Sequence, residues 1–250
     1  MPRYILVHST ESTNSYLAKM AMMLPSDTVI HTPNQTSGRG QRGNVWESEP
    51  GMNATFSMLL KRPALPVAGQ YAISEAVALA VVEVLSKYAD GFSIKWSNDI
   101  YHNDKKVCGL LIEHSIMGTA INHTIIGVGI NVNQTLFVSN APNPVSLAQI
   151  LGHEVPVEEV MHAVCEAIEQ RCNFANFSDA DFATLHNEFK SKLYRNDGKM
   201  YRFALPDGEE FEARITDVQP SGLLVLTRED GSESAYAFKE VQFVIQPYQI

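Results

Sequence analysis

Apolar and polar positions along this chain follow two repeats, and the repeat in force changes several times. Ile73, Ala76, Val77, Ala80, Val81, Val84, Leu85 and Tyr88 recur every three or four residues, which predicts a long helix with a core-facing stripe. Val157, Val160, Met161, Val164 and Ile168 predict a second helix after Pro156, and Phe182, Leu185 and Phe189 a third. A shorter one is predicted through Tyr16, Leu17, Met20, Ala21 and Leu24, with Ser12 or Thr13 as its N-cap. Strand-like runs fall at residues 4–8, 27–32, 53–61, 92–96, 100–102, 107–116 and 123–132. His102-Asn103-Asp104-Lys105 reads as a hairpin turn, 63–66 as a turn and 140–144 as a loop. The 123–132 run has a continuous apolar centre, the pattern of a strand covered on both faces.

After about Leu193 the texture changes. Short alternating runs at 200–205, 211–218, 223–227 and 234–238 are separated by Pro206-Asp207-Gly208, Ser221-Gly222 and Asp230-Gly231. The expected organisation is a domain over residues 1–194 and a small β domain over 195–250, a barrel or meander. Hairpins mixed with a few helices make the larger part α+β, with a mixed, largely antiparallel sheet.

The chain has 250 residues, 45% of them hydrophobic, enough for a sizeable core. A formal net charge of −9 argues against non-specific nucleic-acid binding. Cys108, Cys165 and Cys172 have no regular spacing and read as reduced thiols rather than a disulfide framework or a zinc site. No signal-peptide core or membrane span is expected, so the expected location is cytoplasmic.

Chemistry concentrates in residues 36–60. Gly38, Gly40, Gly43 and Gly51 allow close backbone approach, and Arg39 and Arg42 offer guanidinium forks matched to phosphate or carboxylate. The GxxxxGK[ST] spacing of a P-loop is missing. Trp46 follows, either as core or as a platform for a purine. Lys95-Trp96-Ser97-Asn98-Asp99 sets a lysine at a strand end, where it must be exposed, paired or functional; Asp99 is one candidate partner. Gly127-Val128-Gly129-Ile130-Asn131 fails as a Rossmann fingerprint; small residues there let a backbone or a flat ligand approach.

Ser12-Thr13-Asn14, Gln35-Thr36-Ser37-Gly38-Arg39-Gly40, Trp46, Lys95-Trp96-Ser97-Asn98-Asp99-Ile100-Tyr101, Gly109-Leu110-Leu111-Ile112-Glu113 and Gly127-Val128-Gly129-Ile130-Asn131-Val132-Asn133 together resemble the biotin protein ligases, in the family's order. The resemblance implies a class II synthetase-like catalytic domain and a C-terminal SH3-like β-barrel. It implies activation of biotin by Mg-ATP to biotinyl-5′-AMP, then transfer to a lysine of a biotin carboxyl carrier domain. Lys95 and Arg39 take the catalytic roles, screening the two reacting anions. The biotin set is Ser12, Thr13, Asn14, Gln35, Gly38, Arg39, Gly40, Gln41, Lys95 and Gly109. The ATP set is Arg39, Arg42, Asn44, Trp46, Lys95 and Asn131. No protein metal site is implied; magnesium arrives with the phosphates.

Two positions depart from the family pattern: Gln41 stands where a basic residue is common, and Ser97 where a proline is. Few residues precede the first strand, so a helix-turn-helix and DNA binding are not expected. The rivals are a lipoate or octanoate ligase or transferase of the same superfamily, and a non-catalytic biotin-binding protein. Exposed sheet edges could pair with a second copy, as a homodimer, or with the carrier.

Overall fold

The structure, a computed structural model, describes residues 1–61, 65–139 and 143–245, apart from the side chain of Arg42. Parts of the turn expected at 63–66 and the loop expected at 140–144 lie outside those residues. In chain order the elements are β1 (Arg3–Leu6), α1 (Thr13–Met20), β2 (Thr28–His31), β3 (Gly38–Arg39), β4 (Val45–Trp46), β5 (Ala54–Leu60) and α2 (Tyr71–Leu85). Next come β6 (Phe92–Lys95), β7 (Asp99–His102), β8 (Lys105–Met117), β9 (Ala120–Ile130), α3 (Leu147–Leu151), α4 (Val157–Arg171) and α5 (Asp179–Ser191). The chain closes with β10 (Tyr201–Ala204), β11 (Glu210–Val218), β12 (Leu224–Arg228), β13 (Glu233–Tyr236) and β14 (Gln242–Phe243).

The large sheet runs β1-β2-β5-β9-β8-β7-β6. Only β1 and β2 pair in parallel; the remaining neighbours are antiparallel. Because side chains alternate between faces, register sorts them. Val29, Met58 and Ile126 share one row and enter the main core, which α2, α4 and α5 help to build. The opposite face carries Ile30, Leu59 and Ile125, which α1 covers with Leu17 and Ala21.

Ser12, not Thr13, caps α1, its side chain accepting from the Ser15 amide. The expected stripe on α2 is too narrow: Ala78, Leu79 and Val82 are buried as well, so the helix is enclosed nearly all round. With the turn before it, Val67–Leu85 is long and apolar enough to cross a membrane, but its apolar side chains lie largely in the core. Helix α3 was not expected, since five residues are too few to show a period. Its signal was the capping box that Ser146 forms with Gln149.

The C-terminal strands form an antiparallel sheet in the order β13-β12-β11-β10-β14. The barrel expected there is not closed among the described residues, because no ladder joins β13 to β14 and β14 is only two residues long. Its inner face, with Phe203, Ile215, Leu224 and Leu226, merges into the main core. The Trp96 indole donates to the Gly222 carbonyl at 2.9 Å, and Ile94 exchanges backbone bonds with Lys192 and Tyr194. The end of β6 is therefore tied to the C-terminal sheet.

Candidate active site

Register on the α1-covered face creates a trench. Ser57 lies opposite Gly127, and Gly127 opposite Leu111; one row along, Thr55, Gly129 and Gly109 line up across β5, β9 and β8. Where β9 and β8 offer no side chain, other groups settle. The Trp46 indole covers the glycine pair: a Cβ at Gly109 would stand 3.0 Å from Cζ3, and one at Gly129 2.6 Å from Nε1. A Cβ at Gly127 would overlap the Asn14 carboxamide. A cavity of about 570 Å³ opens between this trench, the start of α1, the β3–β4 hairpin and the C-terminal segment. That is ample for a drug-sized ligand.

One wall is uncharged. Thr13 donates its amide to Gln35 Oε1 at 2.9 Å. Ser57 Oγ lies 2.7 Å from Thr13 Oγ1 and 2.5 Å from Asn14 Oδ1. Asn14 Nδ2 donates to the Leu111 carbonyl at 3.1 Å and to Glu113 at 2.8 Å. Glu113 also receives Arg39 at 2.8 Å, and Arg39 reaches Ser15 Oγ at 3.0 Å. The guanidinium expected to wait for an anion is thus latched across the mouth to β8 and α1.

The other wall is cationic. Lys106 Nζ pairs with Asp99 at 2.7 Å and lies 5.6 Å from the Trp46 ring. Lys95 Nζ sits 5.3 Å from the Tyr101 ring and 5.1 Å from that of Phe243 on β14. Burial holds the Lys95 amine below the ordinary lysine value; Asp99 raises it, and Lys106 and Arg195 lower it further. The salt-bridge partner of Asp99 is therefore Lys106, not the Lys95 suggested by the sequence.

Of the sequence-derived site residues, Ser12, Thr13, Asn14, Gln35, Arg39, Gly40, Gln41, Asn44, Trp46, Lys95 and Gly109 line this cavity. Two do not. Gly38 lies in the β3–β4 pair, where a Cβ would overlap the Trp46 carbonyl, so its smallness serves the hairpin. Asn131 is buried and donates Nδ2 to the Val145 carbonyl at 3.1 Å; its Oδ1 has no partner among the described residues. The side chain of Arg42 lies outside the described part.

Sequence reasoning missed Lys106, Ser57, the role of Glu113, and the C-terminal wall that includes Phe238, Val241 and Phe243. Lys106 had a signal, as a lysine three residues before Gly109. Ser57 had one too, as a hydroxyl inside the apolar run of β5. The C-terminal wall had none, because it depends on how the second sheet docks. Among the described residues no three His, Cys, Asp or Glu side chains gather as a metal site.

The Biotin/lipoate A/B protein ligase family model matches residues 6–131 of the chain. The bifunctional ligase/repressor BirA of Escherichia coli (strain K12) is 36% identical over 104 residues, 41% of this chain and 32% of that protein. The chain therefore spans about a third of that relative. The biotin--[acetyl-CoA-carboxylase] ligase of Paracoccus denitrificans is 29% identical over 193 residues, 74% of this chain and 79% of that one. The solved biotin protein ligase from Aquifex aeolicus in complex with biotin and ATP has the same fold, with a TM-score of 0.78 at 24% identity over 98% of this chain and 100% of that one.

Proposed function

Since the chain belongs to the Biotin/lipoate A/B protein ligase family, we propose that it is an ATP-dependent biotin protein ligase that biotinylates a lysine of a carboxyl carrier domain. The observation that carries this is a cavity of about 570 Å³ that joins a neutral donor–acceptor wall to a cationic one. A ureido ring suits the first; a carboxylate meeting a phosphate needs the second. The Aquifex aeolicus neighbour holds biotin and ATP together, which supports the same pairing here.

In the first step a biotin carboxylate oxygen attacks the α-phosphorus. The bond to the β-phosphate oxygen breaks, and pyrophosphate leaves with the electron pair. Two anions must approach, so a cation must stand between them. Lys106 is the better placed lysine: it lies beside the trench under Trp46, with Asp99 holding it. Lys95, set between Tyr101 and Phe243, faces the C-terminal wall and serves the phosphate tail. Trp46 and the hairpin cover the mixed anhydride and keep water away. In the second step a neutral lysine amine of the carrier attacks the acyl carbon, AMP leaves, and the amine proton passes to solvent. Magnesium enters as Mg-ATP, held mostly by phosphate and water. The net charge of −9 supports a reading without a DNA partner.

The test is pyrophosphate release by the purified chain with ATP and each of biotin, lipoate and octanoate. Release with biotin alone is expected. Release only with lipoate or octanoate transfers the assignment to the rival enzyme, and tight biotin binding without turnover transfers it to a binding protein.

A further inference from the structure

We propose that Ser57, which is fully buried and does not line the cavity, is a positioning residue: it makes the Thr13 hydroxyl oxygen an acceptor for a ligand N–H. The inference rests on the reading of this wall as the ring-recognising end of a biotin site.

Counting protons gives the direction of every bond in the wall. Asn14 Nδ2 faces the Leu111 carbonyl at 3.1 Å and Glu113 at 2.8 Å. Both are acceptors, and Glu113 receives Arg39 as well at 2.8 Å, so the amide has only one workable orientation. Its Oδ1 then faces Ser57 at 2.5 Å and can only accept, so the Ser57 proton goes there. Serine has no second proton. The 2.7 Å contact between Ser57 and Thr13 must therefore be carried by the proton of Thr13. Gln35 Oε1 is the weaker claimant to that proton, at 3.4 Å against 2.7 Å for Ser57.

Thr13 Oγ1 thus points its hydrogen into the sheet and only lone pairs into the cavity. Gln35, with Oε1 committed, keeps Nε2 as a donor. An acceptor beside a donor complements a ring N–H next to a carbonyl, the edge of a cyclic urea. A ring without N–H leaves the Thr13 oxygen unpaired. Gly127 is part of the device, since a Cβ there would overlap the Asn14 carboxamide. The relay runs Arg39, Glu113, Asn14, Ser57, Thr13, so closure of the hairpin and polarity of the pocket share one chain of bonds.

Ser57→Ala frees the Thr13 proton to turn toward the cavity. The assay is pyrophosphate release by the full chain, with biotin and with biotin methylated on a ureido nitrogen; thermal melting checks the fold. In Ser57→Ala the KM for biotin should rise about tenfold while that for ATP stays within about twofold. The preference for biotin over the methylated analogue should shrink by a similar factor. Ser57→Cys keeps the volume but hydrogen-bonds weakly, and should reproduce the effect if Ser57→Ala folds poorly. Equal changes in both KM values, or an unchanged preference in a folded variant, overturns the wiring alone. Wild-type protein that neither binds nor activates biotin overturns the functional reading as well.

Discussion

Gly129→Ala isolates the trench. The added Cβ would lie 2.6 Å from Trp46 Nε1 and 2.8 Å from Cζ2, where ordinary contact begins at 3.4 Å. The indole must therefore rise by roughly 1 Å. Gly129 sits in a regular ladder with Thr55 and Gly109 and is not among the residues with positive φ, so alanine brings no backbone strain. Overpacking a rigid core costs about 1–3 kcal/mol. Here the yielding group hangs from the two-residue β3–β4 ladder, so most of that strain is relieved by the hairpin. We expect a stability loss under about 1 kcal/mol, a fall in Tm of roughly 2–4 °C. Adenylation should suffer far more: a 1 Å misplacement near the reacting groups costs about 10²-fold in kcat/KM. The assay is pyrophosphate release beside a thermal melt, with Gly127→Ala as the contrast. There the Cβ meets Asn14 Cγ at 2.8 Å and Nδ2 at 3.0 Å, and Asn14 is bonded to Ser57, Leu111 and Glu113. That variant should lose about 1–3 kcal/mol. Wild-type adenylation by Gly129→Ala, or a melting loss equal to that of Gly127→Ala, would refute the reasoning.

Other expectations are equally direct. Lys106→Ala should lower adenylation by about 10²–10³-fold with the fold intact; a larger loss in Lys95→Ala would move the reacting-centre role to Lys95. Gln41→Arg adds a cation to a cavity-lining position that now has none, and should slow release of preformed adenylate roughly tenfold on dilution. An unchanged off-rate would remove position 41 from adenylate retention. Glu75 lies buried in α2, 2.6 Å from His186, and burial raises its carboxyl pKa against the lowering pull of His186 and Lys190. A carboxyl raised in the folded state adds stability below its ordinary value of 4.5 and loses it as pH rises through the folded value. The stability of wild type relative to Glu75→Gln should therefore fall as pH climbs from 4.5, measured by urea unfolding at stepped pH; a flat or rising difference would contradict it.

Much of the fold was legible because periodicity is local. The stripe through Ile73, Val77, Ala80 and Val84 and the alternation in β11 record which side of each element is covered. The uncharged wall was legible as well, since Ser12, Thr13 and Asn14 are neighbours in sequence and arrive together at the start of α1. Gly109, Gly127 and Gly129 announced a close approach without saying what approaches.

What the order of residues determined by itself was the set of elements, their apolar faces and the residue types able to meet anions and a polar ring. Pairing register and docking decided the rest. Asp99 holds Lys106 because β7 and β8 meet at that register. Arg39 is latched because Glu113 emerges on the same face of the sheet. Phe243 reaches Lys95 because a second sheet folds back over the end of β6. Such contacts join residues 7 to 148 positions apart, and no local pattern encodes them, because hydrogen-bond direction and charge pairing depend on distances that exist only once the chain has closed.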